Sequence, residues 1–265
     1  MLIDTHIHLD AEEYRTSLPD VLTRARQAGV AGFVLPAVEP ANFSAVAALA
    51  SENADVAPAY GIHPLYVDRI DDGALLALRQ QLAQGGAVAV GEIGLDYYVE
   101  GLDRERLQQV YLAQLKLARE FELPVLLHLR RAQDDVLKHL RRIRVRGGIA
   151  HAFNGSRQQA DAFIALGFKL GFGGAMTYTG SSRIRALARE LPLECIVLET
   201  DGPDIAPAWR PQGPSLPAEL PRYAAELAEL RGISVDTVAL QTSRNALDAL
   251  PGLAARVRPA LPRGQ

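Results

Sequence analysis

The sequence predicts a (β/α)8 barrel, a single domain over residues 1–265, and three observations predict it. Short apolar runs alternate eight times with longer segments of helical periodicity, joined by short loops. Such alternation means right-handed parallel crossovers, and eight of them close a sheet on itself. The length, 265 residues, suits a barrel of about 250 residues. Polar residues also recur where an apolar run hands over to its loop, the end of a barrel where sites are built. A doubly wound open sheet competes, but no Gly-rich phosphate loop follows the first strand to support it.

Taken in order, strand one is Leu2-Ile3, and Asp4-Thr5-His6-Ile7-His8-Leu9-Asp10 follows it. Residues two apart on an extended chain point to one side, so His6 and His8 are candidates to share a metal ion. A helix is expected over 17–29, with Ser17 as N-cap and Gly29 near its end. Strand two is 32–38, a helix covers 40–51, strand three is 56–60, and Gly61-Ile62-His63-Pro64 follows. After a helix over 71–84, the run 87–92 forms strand four and ends on Glu92. The longest helix, 103–121, carries Leu107, Val110, Tyr111, Leu117, Ala118 and Phe121 on one face. Strand five, Val125-Leu126-Leu127-His128, leads to a basic-ended helix running to Arg146. Strand six is Gly147-Gly148-Ile149-Ala150-His151, then come a helix over 156–166, strand seven at 168–172 and a helix over 181–190. Strand eight contains Cys195 and ends in Leu198-Glu199-Thr200-Asp201. A loop rich in Pro and Gly, 203–217, precedes a helical tail over 219–250.

Composition narrows the function classes. With 48% hydrophobic and 22% charged residues, the chain reads as an ordinary soluble protein. A net charge of −3 is not that of a polycation, so any nucleic-acid contact is local. One cysteine excludes an internal disulfide, and Cys195 is expected to be a buried, inert thiol. No apolar run approaches the roughly 20 residues of a membrane span. The first motif begins at residue 4, so no signal peptide precedes it and a cytoplasmic location is expected, with no membrane and no obligate protein partner.

The polar strand ends form a pattern: His6 and His8 after strand one, His63 after three, Glu92 after four, His128 after five, His151 after six and Asp201 after eight. Each alone has an ordinary structural reading, as a core histidine, a loop acid or a turn cap. Together they describe a dinuclear metal centre of imidazoles and carboxylates, for which Zn, Mn, Mg, Ni or Co are the candidate ions. The sixth histidine, His139, lies in mid-helix and is expected at the surface.

At these residues the chain resembles the TatD family of metal-dependent deoxyribonucleases, within the amidohydrolase-like metallohydrolases. The matching segments are Ile3 to Asp10, Gly61 to Pro64, Val90-Gly91-Glu92-Ile93-Gly94-Leu95-Asp96-Tyr97, His151-Ala152-Phe153-Asn154-Gly155-Ser156 and Leu198 to Asp201. The resemblance implies that His6, His8 and Asp201 hold one metal, that His128 and His151 hold the second, and that Glu92 bridges. Two departures, His128-Leu129-Arg130 for the usual His-Ser-Arg and Thr200-Asp201-Gly202-Pro203 for Thr-Asp-Ser-Pro, point to the YjjV-like branch and leave the substrate open.

Such a centre lowers the pKa of a water and clamps the oxygens of a phosphodiester. Asp201 is expected to orient or deprotonate that water, and His63 to meet a phosphoryl oxygen or leaving group, with orientation of another ligand as its alternative. Arg130 is a candidate for holding a phosphate oxygen, against a surface ion pair. Asn154, Gly155 and Ser156 offer groups to a phosphate, although Ser156 also reads as a plain N-cap. Lys138, Arg141, Arg142, Arg144 and Arg146 end a helix that opens with Asp134 and Asp135, so the helix dipole explains them without a DNA groove. Trp209 and Tyr178 are the aromatics placed to stack on an unpaired base, against plain loop packing. The leading function is exonuclease-type cleavage of DNA, single-stranded or at 3′ ends. A small-molecule or aminoacyl-ester hydrolase uses the same ligands, and a non-catalytic barrel would be expected to have lost them.

Overall fold

The computed structural model of the chain describes residues 1–257. Eight strands form one sheet in sequence order, every neighbouring pair parallel. They are β1 (Leu2–Asp4), β2 (Val30–Pro36), β3 (Val56–Tyr60), β4 (Ala89–Asp96), β5 (Val125–Arg130), β6 (Gly148–Ala150), β7 (Phe168–Phe172) and β8 (Ile196–Leu198). Around them lie α1 (Leu18–Gln27), α2 (Phe43–Glu52), α3 (Ala74–Ala83), α4 (Arg104–Glu120), α5 (Gln133–Arg142), α6 (Arg157–Ala165), α7 (Ser182–Glu190), α8 (Leu220–Arg231) and α9 (Val235–Ala249). The (β/α)8 barrel expected from the alternation is the fold observed.

The seam between the first and last strands is held largely beyond their ends. Thr5 N–H donates to the Leu198 carbonyl at 3.1 Å, Asp201 N–H to the His6 carbonyl at 2.9 Å, and His8 N–H to the Gly202 carbonyl at 2.8 Å. Asp4 clips the two sides together, accepting from Thr200 N–H at 3.0 Å and from the Thr200 hydroxyl at 2.6 Å. The strand faces are apolar on both sides, as a helix-covered parallel sheet requires. Val56, Val90, Leu127 and Leu170 belong to the cluster shared with the helices, while Ile3, Val34, Ala59, Leu126, Ile149 and Val197 fill the barrel. Ala246, Ala249, Leu250 and Leu253, from the end of α9 and the turn after it, join that inner cluster. They plug the N-terminal mouth and leave the other mouth for the site.

Several elements differ from the sequence reading, each for a local reason. The tail is two helices, because Gly232 takes a left-handed φ of +65° and Ser234 caps a new helix by accepting from Thr237 N–H. Strand four does not end at Glu92 but continues to Asp96. Its glycines resemble breakers but serve close packing: Gly94 has φ +154°, and a Cβ there would overlap the His128 carbonyl of β5. Cys195 lies in a single helical turn before β8 rather than in the strand, and is only partly buried. His139 is not at the surface. It is 3% exposed on the inner face of α5, with Nε2 3.3 Å from Gln108 Oε1 and its ring edge-on to Tyr111. Ser17 occupies the N-cap of α1 without a capping hydrogen bond from its side chain.

Candidate metal centre

The C-terminal strand ends surround a cleft of about 930 Å³, and the predicted residues gather on its floor. The seam bonds bring His6, His8 and Asp201 together from opposite ends of the chain. His6 Nε2 and His8 Nε2 lie 3.7 Å and 3.9 Å from Asp201 Oδ1. Glu92 rises from the middle of β4 into the centre and is 2% exposed. Its two oxygens face different partners. Oε2 lies 3.1 Å from His6 Nε2 and 3.6 Å from His8 Nε2. Oε1 lies 3.3 Å from His63 Nε2, 3.0 Å from His128 Nδ1 and 2.8 Å from His151 Nε2.

This donor set fits divalent cations. Among the described residues, three trios have all their ligand atoms within 4.8 Å of one another: His6–His8–Asp201, His6–Glu92–His151 and His63–Glu92–His128. Imidazole nitrogens and carboxylate oxygens at this density are the chemistry of a metal cage. His63 Nε2 and His128 Nδ1 face each other at 3.1 Å, and His6 stacks on His151 with centroids 3.9 Å apart. His63 therefore sits closer to the cluster than its place after β3 suggested, and His128 and His151 meet through Glu92 Oε1 rather than in one trio.

The charges arrange themselves around Glu92. Burial opposes its ionisation, but His63, His151 and His6 outweigh burial and hold it well below the usual carboxylate range. Burial also works against a charged His151, yet the carboxylates of Glu92 and Asp201 win and raise it to about 10. His6, buried and stacked on that cation, falls to about 3, and burial drives His63 down to about 4. Asp201 is pushed up to about 6 by burial, with His151 and His8 opposing.

Three further acids of the motifs, Asp96, Glu199 and Asp4, find partners around the centre. Asp96 Oδ2 accepts from His128 Nε2 at 2.9 Å, leaving Nδ1 to face Glu92. Its other oxygen accepts from Tyr98 N–H and Val99 N–H. Glu199 is buried, accepts from Ala152 N–H at 2.5 Å and lies 3.9 Å from His151 Nδ1. Asp4 holds the seam, as described above. The signal available was an acid inside each motif, but only the fold shows which imidazole or backbone it faces.

Arg130 lines the cleft, with its guanidinium 3.7 Å from the Tyr98 ring centroid instead of in a surface ion pair. Asn154 also lines the cleft, while Ser156 is the N-cap of α6 in a capping box with Gln159. Trp209 is engaged elsewhere: its Nε1–H donates to Glu219 Oε2 at 2.5 Å and Arg222 covers its ring at 3.9 Å. Tyr178 bonds the Ala206 carbonyl outside the cleft lining, and none of the five basic residues from Lys138 to Arg146 lines the cleft.

A barrel with a buried His/Glu/Asp cluster at the C-terminal mouth defines a metal-dependent hydrolase. The family model of TatD related DNase matches residues 3–251, and the chain belongs to that family. It is 41% identical over 240 residues to the metal-dependent hydrolase YjjV of Escherichia coli, covering 89% of this chain and 93% of that protein. The crystal structure of that TatD homologue superposes with a TM-score of 0.92 at 39% identity, over 94% of this chain and 98% of the other. A putative deoxyribonuclease, tatdn3 of Danio rerio, is 31% identical over 257 residues, covering 92% of this chain and 95% of that one. A TatD family hydrolase from Entamoeba histolytica shares the fold at a TM-score of 0.83 and 18% identity, over 94% of this chain and 97% of the other. Among the described residues, no helix is long and apolar enough to cross a membrane.

Proposed function

We propose that this hydrolase cleaves phosphodiester bonds of DNA from an end, single-stranded or at a 3′ terminus, with two divalent ions bound around Glu92. The observation that carries this reading is the division of Glu92, one oxygen toward His6 and His8 and the other toward His63, His128 and His151. In this reading His6, His8 and Asp201 would hold one ion and His128 and His151 the other, with Glu92 placed to serve both. Imidazole with carboxylate suits Zn, Mn, Ni or Co, with Mg at a carboxylate-rich position. The bound ions supply an acidified water and neutralise charge that develops on the phosphoryl oxygens.

The protein residues do the rest. Asp201, whose Oδ1 faces His6 and His8 across the seam, orients the attacking water and accepts its proton. His63, 7% exposed at the edge of the cluster, meets a phosphoryl oxygen or the leaving group. Arg130, at the cleft wall, offers its guanidinium to a phosphate of the strand outside the metal cluster. The name of the zebrafish relative supports a DNA substrate.

The test uses purified protein, with Asp201→Asn as control, on end-labelled single-stranded DNA with Mg, Mn and Zn supplied in turn. A metal-dependent ladder shortening from one end, absent in the variant, supports the reading and gives its polarity. Intact DNA after incubation with the metal-loaded wild type overturns it and directs attention to carboxylic and aminoacyl esters.

A further inference from the structure

The cleft wall above β4 and β5 carries an arrangement that the metal centre does not use. Tyr98 is 46% exposed and lines the cleft, with the guanidinium carbons of Arg130 and Arg131 at 3.7 Å and 4.6 Å from its ring centroid. Both arginines are exposed and line the same cleft, as does Arg183 at the start of α7. Among the described residues none of the three makes an ion pair, although Asp204 after β8 also lines the cleft. Two like charges gathered on one ring repel each other, and an anion beside them removes that cost. The backbone is bent to achieve the arrangement: Arg131 has φ +55°, a left-handed conformation that a long side chain seldom takes. Tyr98 is fixed from below, its N–H donating at 2.8 Å to the same Asp96 that holds His128.

We infer that Arg130 and Arg131, braced on Tyr98, form a subsite for a second phosphate, adjacent in the substrate to the one held over Glu92. This rests on the phosphodiesterase reading and specifies its substrate as a strand bearing a further phosphate beyond the one cleaved. Position separates the two phosphates. Arg130 stands two residues beyond His128 on the same side of β5, one pleat repeat, about 7 Å, farther out. A planar guanidinium matches phosphate oxygens in pairs, and two of them braced against one ring lose little freedom on binding.

The experiment compares kcat/KM of the metal-loaded protein for a thymidine dinucleotide with one internal phosphodiester against its 5′- and 3′-phosphorylated forms. One phosphorylated form is expected to be preferred by about tenfold or more, carried mainly in KM. Arg131→Ala, and more so Arg130→Ala with Arg131→Ala, is expected to collapse that preference towards one. Equal kcat/KM for all three dinucleotides overturns the subsite, as does a preference that survives the double substitution. Calorimetry with thymidine 3′,5′-bisphosphate against both thymidine monophosphates decides the matter independently of turnover. If no dinucleotide is cleaved and end-labelled single-stranded DNA also stays intact, the phosphodiesterase reading fails, while a bisphosphate preference lost in the double variant still supports the subsite. An absent preference overturns it.

Discussion

Asp96 holds His128 by a single hydrogen bond of 2.9 Å, and that bond decides which nitrogen of His128 faces Glu92. The carboxylate fixes the proton on Nε2, so the Nδ1 lone pair points into the cluster. Burial opposes the charge on Asp96, but this bond and those from the Val99 and Tyr98 backbones outweigh it and hold its pKa near 2. Asp96→Asn keeps the shape and loses the charge. It should weaken metal binding by about 10–100-fold, read by competitive chelator titration, with little change in the melting temperature of the metal-free protein. Wild-type affinity in the variant would remove Asp96 from the positioning of His128.

Glu92→Ala should empty or disorder both metal positions, because each trio other than His6–His8–Asp201 includes Glu92 and that one lies against it. Elemental analysis after dialysis checks this, and full occupancy would count against a bridging carboxylate.

His63→Ala should retain bound metal yet lose turnover on whatever ester proves to be the substrate. An unchanged kcat takes His63 out of the chemistry, and lost metal makes it a ligand, in keeping with its 3.3 Å approach to Glu92.

Metal binding should release protons. In the metal-free protein His151 is held up to about 10 by the carboxylates of Glu92 and Asp201 against the effect of burial, so at neutral pH it carries a proton that a cation must displace. Affinity therefore rises with pH and falls as pH drops, since protons and metal compete for one site. Calorimetric enthalpies that differ between buffers of unlike ionisation heat check the sign, and identical enthalpies contradict it. His6 adds the same trend at low pH. Its pKa is lowered to about 3, so the stability of the neutral form is present above its ordinary value near 6.5 and is lost as pH falls towards 3.

Leu253→Ala removes a fully buried side chain from the plug at the closed mouth. It should cost about 2–4 kcal/mol and lower Tm by roughly 5–15 °C, with metal affinity at 25 °C unaltered because the site is at the other mouth. A Tm within a degree or two of wild type would show that the plug is not close-packed.

Much of the fold was legible in the sequence, because barrel strands are short apolar runs and the candidate ligands are polar interruptions at their ends. His6, His8 and Asp201 stand out as candidates by position, while their grouping came from the family resemblance. What escaped depends on contacts between distant segments. Strand β4 looked finished at Glu92, since nothing local says that Gly94 is needed beside the His128 carbonyl. Asp96 and Glu199 read as motif acids until the fold showed them facing His128 and His151. His139 looked like a surface histidine because its neighbours on α5 are charged, while its own side faces Gln108 and Tyr111. Trp209 offered an aromatic to the cleft in sequence, but its ring is taken by Arg222 and Tyr223.

The seam has a consequence for how the protein is made. Thr5 meets Leu198 across 193 residues and Asp4 meets Thr200 across 196, so His6 and His8 leave the ribosome long before Asp201 exists. Contacts of such sequence separation are expensive to close and form late. A nascent chain therefore carries two histidines without their carboxylate until nearly all of it has been synthesised. A chain truncated before β8 lacks both Asp201 and the seam, and should bind divalent cations more weakly than the full chain.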